Sequence, residues 1–208
     1  METNWATEHL QVIRTLMERS AVYRRALAPV MLLIGILGSV AGVVGWSWPL
    51  ESSRAFALYW GGISLAGLSA AYLLVRRQAL KDAEPFWSPP TRRVTQALLP
   101  ALFAGWICVV LMLFPRWQDP LLSWYLPPIW MILYGCSLHA AGFFMPRGMK
   151  LFGWMFIVIG CGILLVLSML GGVPSMRYAH GLMAAGFGGL HLAYGIYLYL
   201  TEQGKPSA

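Results

Sequence analysis

Charged residues are scarce in this sequence, and their scarcity excludes a water-soluble globular fold. Asp, Glu, Lys and Arg make up only 11% of the 208 residues, whereas 58% are hydrophobic. An average soluble domain has roughly 25% charged and 45–50% apolar residues, and its helices carry charges along their outer faces. Long stretches here have none. The composition therefore predicts helices that face lipid.

The motifs that mark most enzymes and metal sites are also missing. The sequence has no Gly-x-Ser-x-Gly, no phosphate loop, no His-Glu-x-x-His and no Cys-x-x-Cys. Its three cysteines, Cys108, Cys136 and Cys161, stand inside apolar segments and are expected to be small buried hydrophobes. We therefore expect a protein that is not an enzyme, and no cofactor is predicted.

Six apolar runs are long enough to cross a membrane and contain no Asp, Glu, Lys or Arg. About twenty such residues cross a hydrocarbon core of about 30 Å. We predict an all-α, polytopic transmembrane helix bundle with a single membrane domain over residues 26–200. The predicted spans are 26–46, 55–75, 94–114, 121–145, 151–170 and 179–200.

Lys and Arg are unevenly distributed over the segments that flank these spans. Of the fifteen Lys and Arg residues, twelve lie in the N-terminal segment, the connections after the second and fourth spans and the C-terminal tail, and three lie in the other connections. Cytoplasmic loops carry the excess of such residues. Both termini are therefore predicted to be cytoplasmic. Residues 1–25 show the pattern of an amphipathic helix at the inner membrane surface, and 201–208 would form a short tail. This topology accounts for the net charge of +7, so no nucleic-acid partner is expected.

Three histidines lie within the predicted spans, where ionisable side chains are costly and are the first candidates for function. They are His139, His180 and His191. His180 and His191 are eleven residues apart, about three helical turns, so we expect them on one face of the sixth helix. Measured from the cytoplasmic ends of their spans, His139 lies about 9 Å deep and His191 about 13 Å deep. These two could face one another.

The histidines allow three interpretations. His139 and His191 could ligate a b-type haem, which would make the protein an electron carrier. Each histidine could instead be structural and donate a hydrogen bond to a neighbouring helix. The third interpretation is a proton-linked or ligand-sensing role, including a small-solute or lipid transporter whose path is lined by the fourth helix and the face from His180 to His191.

Small residues recur at helical spacing in several spans, a pattern typical of helices whose backbones approach closely. The first two spans carry Gly38-x-x-x-Gly42 and Gly62-x-x-x-Ala66, and small residues also flank the histidines of the fourth and sixth spans. The predicted helix-packing residues are Gly38, Gly42, Gly62, Ala66, Gly135, Gly142, Ala184, Gly188 and Gly195.

Three segments, Glu84–Pro90, His139–Arg147 and Gly188–Gly195, resemble those of a group of small bacterial inner-membrane proteins with no assigned activity. The resemblance implies a multi-pass protein of a bacterial inner membrane and supplies no catalytic residues. We expect a non-enzymatic accessory or regulatory component that contacts the lipid bilayer and a membrane-protein partner or further copies of itself. A haem-binding electron carrier and a small-solute or lipid transporter are the alternatives.

Overall fold

The computed structural model describes residues 21–48, 50–83, 85–117, 119–145, 148–170 and 174–203, and all of their regular structure is helical. Six helices are long and apolar enough to cross a membrane, which confirms the predicted multi-pass bundle. The first five spans are α1 (Ala21–Ser47), α2 (Ser53–Lys81), α3 (Pro89–Leu111), α4 (Pro120–Ala141) and α5 (Gly148–Met169). The sixth span contains two α-helices, α6 (Met176–Met183) and α7 (His191–Gln203). A π-helical segment, Ala184–Leu190, joins α6 to α7, and these three elements form the sixth span.

The two ends of the chain are described in part. Of the amphipathic helix predicted for residues 1–25, residues 1–20 lie outside the described residues, and 21–25 belong to α1. Of the tail predicted for 201–208, residues 201–203 continue α7, and the others lie outside the described residues.

Prolines and capping side chains fix where several helices begin. α3 starts at Pro89, before the predicted position 94, because prolines are tolerated in a first turn, where backbone N–H groups need no helical partner. α4 starts at Pro120, and the Asp119 side chain accepts a hydrogen bond of 2.7 Å from the backbone N–H of Leu121.

Three helix ends differ from the predicted spans. The fourth helix ends at Ala141 and not at Met145, with Gly142 as its C-cap. The third helix ends at Leu111 and is followed by a short 3-10 turn, Pro115–Trp117. α2 continues to Lys81, past position 75, because polar side chains near its end can reach water while the backbone stays helical.

α1 runs antiparallel to the sixth span, and glycines let the two backbones approach. A Cβ added to Gly38 would lie 2.9 Å from the backbone nitrogen of Gly188, and one added to Gly35 would lie 2.6 Å from that of Leu192. Only glycine permits such contacts. The pairs along this interface are Gly35–Leu192, Gly38–Gly188, Gly42–Ala184 and Gly45–His180.

α4 is the central helix of the other half of the bundle, with its most extensive contact against α5 and a further one against α3. A Cβ added to Gly135 of α4 would lie 2.6 Å from the carbonyl oxygen of Gly153, and one added to Gly160 would lie 2.9 Å from that of Pro128. α4 continues through Pro127 and Pro128, which are both buried.

α2 and α3 are adjacent in sequence but make few contacts with each other. α2 packs on α1, and α3 packs on α4. The bundle therefore has a gap between α2 and α3. Buried apolar side chains form two clusters on either side of its middle, and Leu182 and Phe187 of the sixth span pack against both.

The two ends of the bundle differ in charge. The end formed by the α2–α3 and α4–α5 connections is called the basic end below, and the other the opposite end. The cations in the two connections of the basic end whose side chains the structure describes are Arg76, Arg77, Lys81, Arg92, Arg93 and Lys150. Those of the opposite end are Arg54, Arg116 and Arg177.

The cysteines are not buried as expected. Cys136 and Cys161 are exposed on the outside of the bundle, Cys108 is half-buried, and all three are free thiols. The expectation was wrong because the outer surface of a membrane bundle faces lipid, where a small apolar side chain is as well accommodated as in the interior.

Candidate functional site

The three candidate histidines lie in three separate parts of the bundle. His180 stands near the start of α6, beside the α1–α2 connection, and is 1% exposed. His191 is fully buried in the sixth span, where the π-helical segment meets α7. His139 is half-buried near the end of α4, at the basic end. In the part of the chain that the structure describes, no hydrogen bond or ring contact joins any two of them.

His191 has both ring nitrogens occupied. Its Nδ1 lies 2.8 Å from the carbonyl oxygen of Phe187, and its Nε2 lies 2.8 Å from the hydroxyl of Tyr134. A carbonyl oxygen can only accept, so Nδ1 carries the proton and the neutral imidazole accepts at Nε2 from Tyr134. The pair joins the sixth span to α4 with no charge.

The π-helical segment explains why the sixth span departs from the predicted face. Helical spacing predicted a common face for His180 and His191, but the residue that meets α1 at the level of Gly35 is Leu192. A π-helix holds more residues per turn than an α-helix, so it rotates the residues that follow it. His191 therefore turns away from α1 and meets Tyr134, Phe152 and Phe156.

His180 is held in an aromatic cluster near the opposite end. The indole N–H of Trp60 donates to its Nδ1 at 3.1 Å, so its Nε2 carries the proton and faces the carbonyl oxygen of Leu50 at 3.4 Å. Phe56 and Tyr59 contact its ring edge-on, with centroids 4.9 and 5.7 Å away. These contacts tie α6 to α2 and to the chain entering it.

His139 has different neighbours from the other two. Its ring meets Phe143 and Trp154 edge-on, with centroids 5.6 and 5.7 Å away. A Cβ on Gly153 would lie 2.7 Å from its backbone nitrogen, so α5 passes very close. Its Nδ1 is buried and has no hydrogen-bond partner in the described chain.

These positions do not fit a haem held by His139 and His191. An axial ligand needs a free ring nitrogen, and both nitrogens of His191 are engaged. Among the described residues, the rings of the two histidines also share no aromatic neighbour. Among the described residues, no three His, Cys, Asp or Glu side chains come together as a metal site.

The predicted packing residues fall into two groups. Those on α1, α4 and the sixth span lie at close helix approaches: Gly38, Gly42, Gly135, Gly142, Ala184, Gly188 and Gly195. On α2, in contrast to the prediction, Gly62 and Ala66 are exposed, and a Cβ on Gly62 would meet no atom within 4 Å. The buried glycines of α2 are Gly61, which faces Val109 of α3, and Gly67, which faces Leu37 of α1.

A cavity of about 170 Å³ lies between α1, α2, α3, α4 and the sixth span. Its walls are aromatic and aliphatic, and Tyr134 and His191 are part of them. An apolar cavity of about 150 Å³ in another protein is large enough for benzene, so this one has room for a ring or part of a chain. The aromatic side chains that line it are Trp60, Trp106, Trp130, Tyr134 and Phe187.

The cavity opens through the gap between α2 and α3. Ser64 and Leu68 of α2 line it and are also exposed. Gly67 and Gly105 face it from the two sides of the gap, and a Cβ on either would make only ordinary van der Waals contacts. Since both helices cross the membrane, the opening faces the lipid.

Sequence reasoning missed Tyr134 and the tryptophans of the cavity. Tyr134 lies in the middle of the fourth span, where a hydroxyl needs a partner, and that position was an available signal. The pairing itself was not predictable, because it depends on the rotation that the π-helical segment introduces.

The comparisons with known proteins add no relative. No family model matches the chain, and neither a curated protein nor a solved structure matches it.

Proposed function

We propose that this protein is a non-enzymatic accessory or regulatory membrane component that binds a neutral, lipid-soluble molecule in the cavity between α2 and α3. The observation that carries the proposal is the cavity itself, with five aromatic side chains in its lining and an opening toward the lipid. Ligand sites are typically apolar concavities with a few polar groups, and a compound dissolved in the bilayer could enter this one without crossing water.

The lining favours a neutral ligand. Tyr134 and His191 satisfy each other, and Ser64 donates to the carbonyl oxygen of Gly61. No Asp, Glu, Lys or Arg lines the cavity, so a charged ligand would be buried without a counter-ion, which costs far more free energy than burial of a neutral group. The ligand we propose is therefore an apolar or weakly polar molecule with a ring.

A non-enzymatic role is supported by the state of the two titratable side chains in the lining. General acid–base or nucleophilic catalysis needs a group that can exchange a proton with the substrate. His191 donates to Phe187 and accepts from Tyr134, so its polar atoms hold helices together. The proposal therefore gives the pair a structural role in shaping the cavity.

The proposed location is a bacterial inner membrane, with both termini on the cytoplasmic side. The excess of Lys and Arg at the basic end supports this orientation. An accessory role also implies a membrane-protein partner or a second copy of the chain. Cross-linking in native membranes should give a specific adduct, and a chain that always migrates alone would contradict that part of the proposal.

The ligand can be sought in material purified from native membranes. The protein is extracted in mild detergent, its bound small molecules are removed with organic solvent, and these are compared by mass spectrometry with the bulk membrane lipids. We expect one neutral, ring-containing compound that is strongly enriched over the bulk. Gly105→Leu and Gly67→Leu should remove it, because each places a side chain at the mouth of the cavity.

The matched control is Gly62→Leu, which adds the same side chain to α2 on its outward face, where no atom lies near. This variant should keep the compound. Bulk phospholipids in unchanged proportions, in the wild type and in all three variants, would overturn the proposal.

A further inference from the structure

Two exposed phenylalanines follow the end of α4 at the basic end. Phe143 and Phe144 come directly after Gly142 and are 65% and 46% exposed. The apolar helix of the fourth span ends at Ala141, so we expect the two rings at the level where the hydrocarbon core meets the head groups. Aromatic side chains are favoured at this level.

A cationic side chain lies over each of these two rings, and the two cations come from different helices. The Nζ of Lys150, on α5, lies 3.5 Å from the ring centroid of Phe143, and the Cζ of Arg93, on α3, lies 6.0 Å from that of Phe144. The face of an aromatic ring attracts a cation. An ammonium and a guanidinium group are thus held beside neighbouring residues of one short segment.

The imidazole of His139 adjoins the same group. It meets the ring of Phe143 edge-on at 5.6 Å, and its buried Nδ1 has no hydrogen-bond partner in the described chain. Buried polar atoms without a partner are rare in folded proteins and call for an explanation. The imidazole is therefore a third polar group of this cluster, behind the ring of Phe143.

Among the side chains that the structure describes, no carboxylate pairs with these cations. Glu51 and Asp119 belong to the opposite end, and Asp82 of the basic end accepts a hydrogen bond from the side chain of Gln78. No ion pair of Arg93 or Lys150 is present within the described ranges. At this level of a membrane the abundant anion is the phosphate of a lipid head group.

We propose that Arg93 and Lys150, together with the rings of Phe143 and Phe144, bind the phosphate of an anionic phospholipid at the basic end, next to His139. The two cations face the phosphate, the imidazole of His139 supports the ring of Phe143, and the phenylalanine rings lie against the glycerol and the upper acyl chains. The site is distinct from the cavity, because none of its residues lines that cavity.

The test uses the full chain in nanodiscs of phosphatidylcholine mixed with an equal part of phosphatidylglycerol. Native mass spectrometry after release measures which lipid is retained. The assay runs at high ionic strength, because salt screens general surface attraction much more than a direct contact. We expect retained phosphatidylglycerol in the wild type and a loss of roughly tenfold for each charge removed in Arg93→Gln and Lys150→Gln, the factor typical of one direct hydrogen bond to a charged group.

The matched control is the double variant Arg76→Gln, Arg77→Gln, which removes two exposed cations from the same end. It should retain phosphatidylglycerol as the wild type does. Phe143→Leu with Phe144→Leu keeps both cations but removes their rings, and it should also lower retention. If a single charge variant fails to fold, the comparison of these two double variants still tests the proposal.

Two results would overturn the proposal. One is equal loss in the Arg76, Arg77 double and in the Arg93 and Lys150 variants, which would mean only a general attraction to the surface. The other is displacement of the retained lipid by millimolar inorganic phosphate, which would mean a site for free phosphate and not for a phospholipid.

Discussion

The hydroxyl of Tyr134 donates a hydrogen bond of 2.8 Å to Nε2 of His191, across the interface between α4 and the sixth span. Because the other ring nitrogen donates to the carbonyl oxygen of Phe187, the pair is complete and uncharged. It forms part of the wall of the cavity between α2 and α3. The same contact that removes His191 as a haem ligand therefore fixes the shape of the proposed ligand site.

Tyr134→Phe should lower the free energy of unfolding by about 1–3 kcal/mol, because it leaves a buried acceptor on His191 without a donor. Unfolding in a mixed detergent titration, followed by far-UV circular dichroism, measures this loss. Tyr72→Phe is the control, since Tyr72 is exposed on α2, and it should change the free energy by less than about 0.5 kcal/mol. Equal effects of the two variants would contradict the assigned hydrogen bond.

The interaction energy between Tyr134 and His191 can also be measured. A double-mutant cycle of Tyr134→Phe and His191→Phe should give a coupling free energy of about 0.6–1.7 kcal/mol, which spans the mean and the largest values found for hydrogen bonds between membrane helices. Additive effects within error would mean that Tyr134 and His191 do not interact.

Glycine at position 188 is required by the approach of α1. Gly188→Ala should destabilise the protein by about 1–3 kcal/mol, because a Cβ there would lie 2.6 Å from the backbone nitrogen of Ser39. Gly62→Ala is the matched control, with open space around the new methyl group, and should be neutral or stabilising by up to about 1 kcal/mol through helix propensity. The reverse order of stabilities would contradict the packing of α1 on the sixth span.

Purified protein should show no Soret absorption after expression with added haem. The reason is that His191 has no free nitrogen and that His139 packs against Phe143 and Trp154. His139→Ala should then give the same visible spectrum as the wild type. A Soret band that disappears in both His139→Ala and His191→Ala would show that the protein adopts a different arrangement and binds haem.

The helix count was predictable because it depends on composition alone. A run without charge must be long enough to cross the hydrocarbon core, and each of the six runs satisfied that condition before any contact was known. Helix ends were less predictable. They depend on local chemistry, such as the prolines at 89 and 90 that start α3 and Gly142 that follows α4.

The contacts of single residues could be predicted only where spacing is regular. Gly38 and Gly42 of α1 contact the sixth span. Gly62 and Ala66 have the same spacing, but they lie on an exposed face of α2. A small-residue pattern gives a smooth helix face without specifying which neighbour covers it. The π-helical segment rotates the residues that follow it, and a pattern with a constant helical period does not predict this rotation. For that reason the partner of His191 was not predicted.

Trp60→Phe should destabilise the opposite end of the bundle, because Trp60 donates the hydrogen bond that holds Nδ1 of His180. We expect a loss of about 1–3 kcal/mol in the free energy of unfolding from the unpaired acceptor. Trp48→Phe removes an indole that is 67% exposed and should have little effect. Adding His180→Phe to Trp60→Phe should recover part of the loss, since the double variant no longer has the unpaired Nδ1 acceptor. If the double variant is less stable than Trp60→Phe by the full cost of His180→Phe alone, the loss comes from ring packing and not from this hydrogen bond.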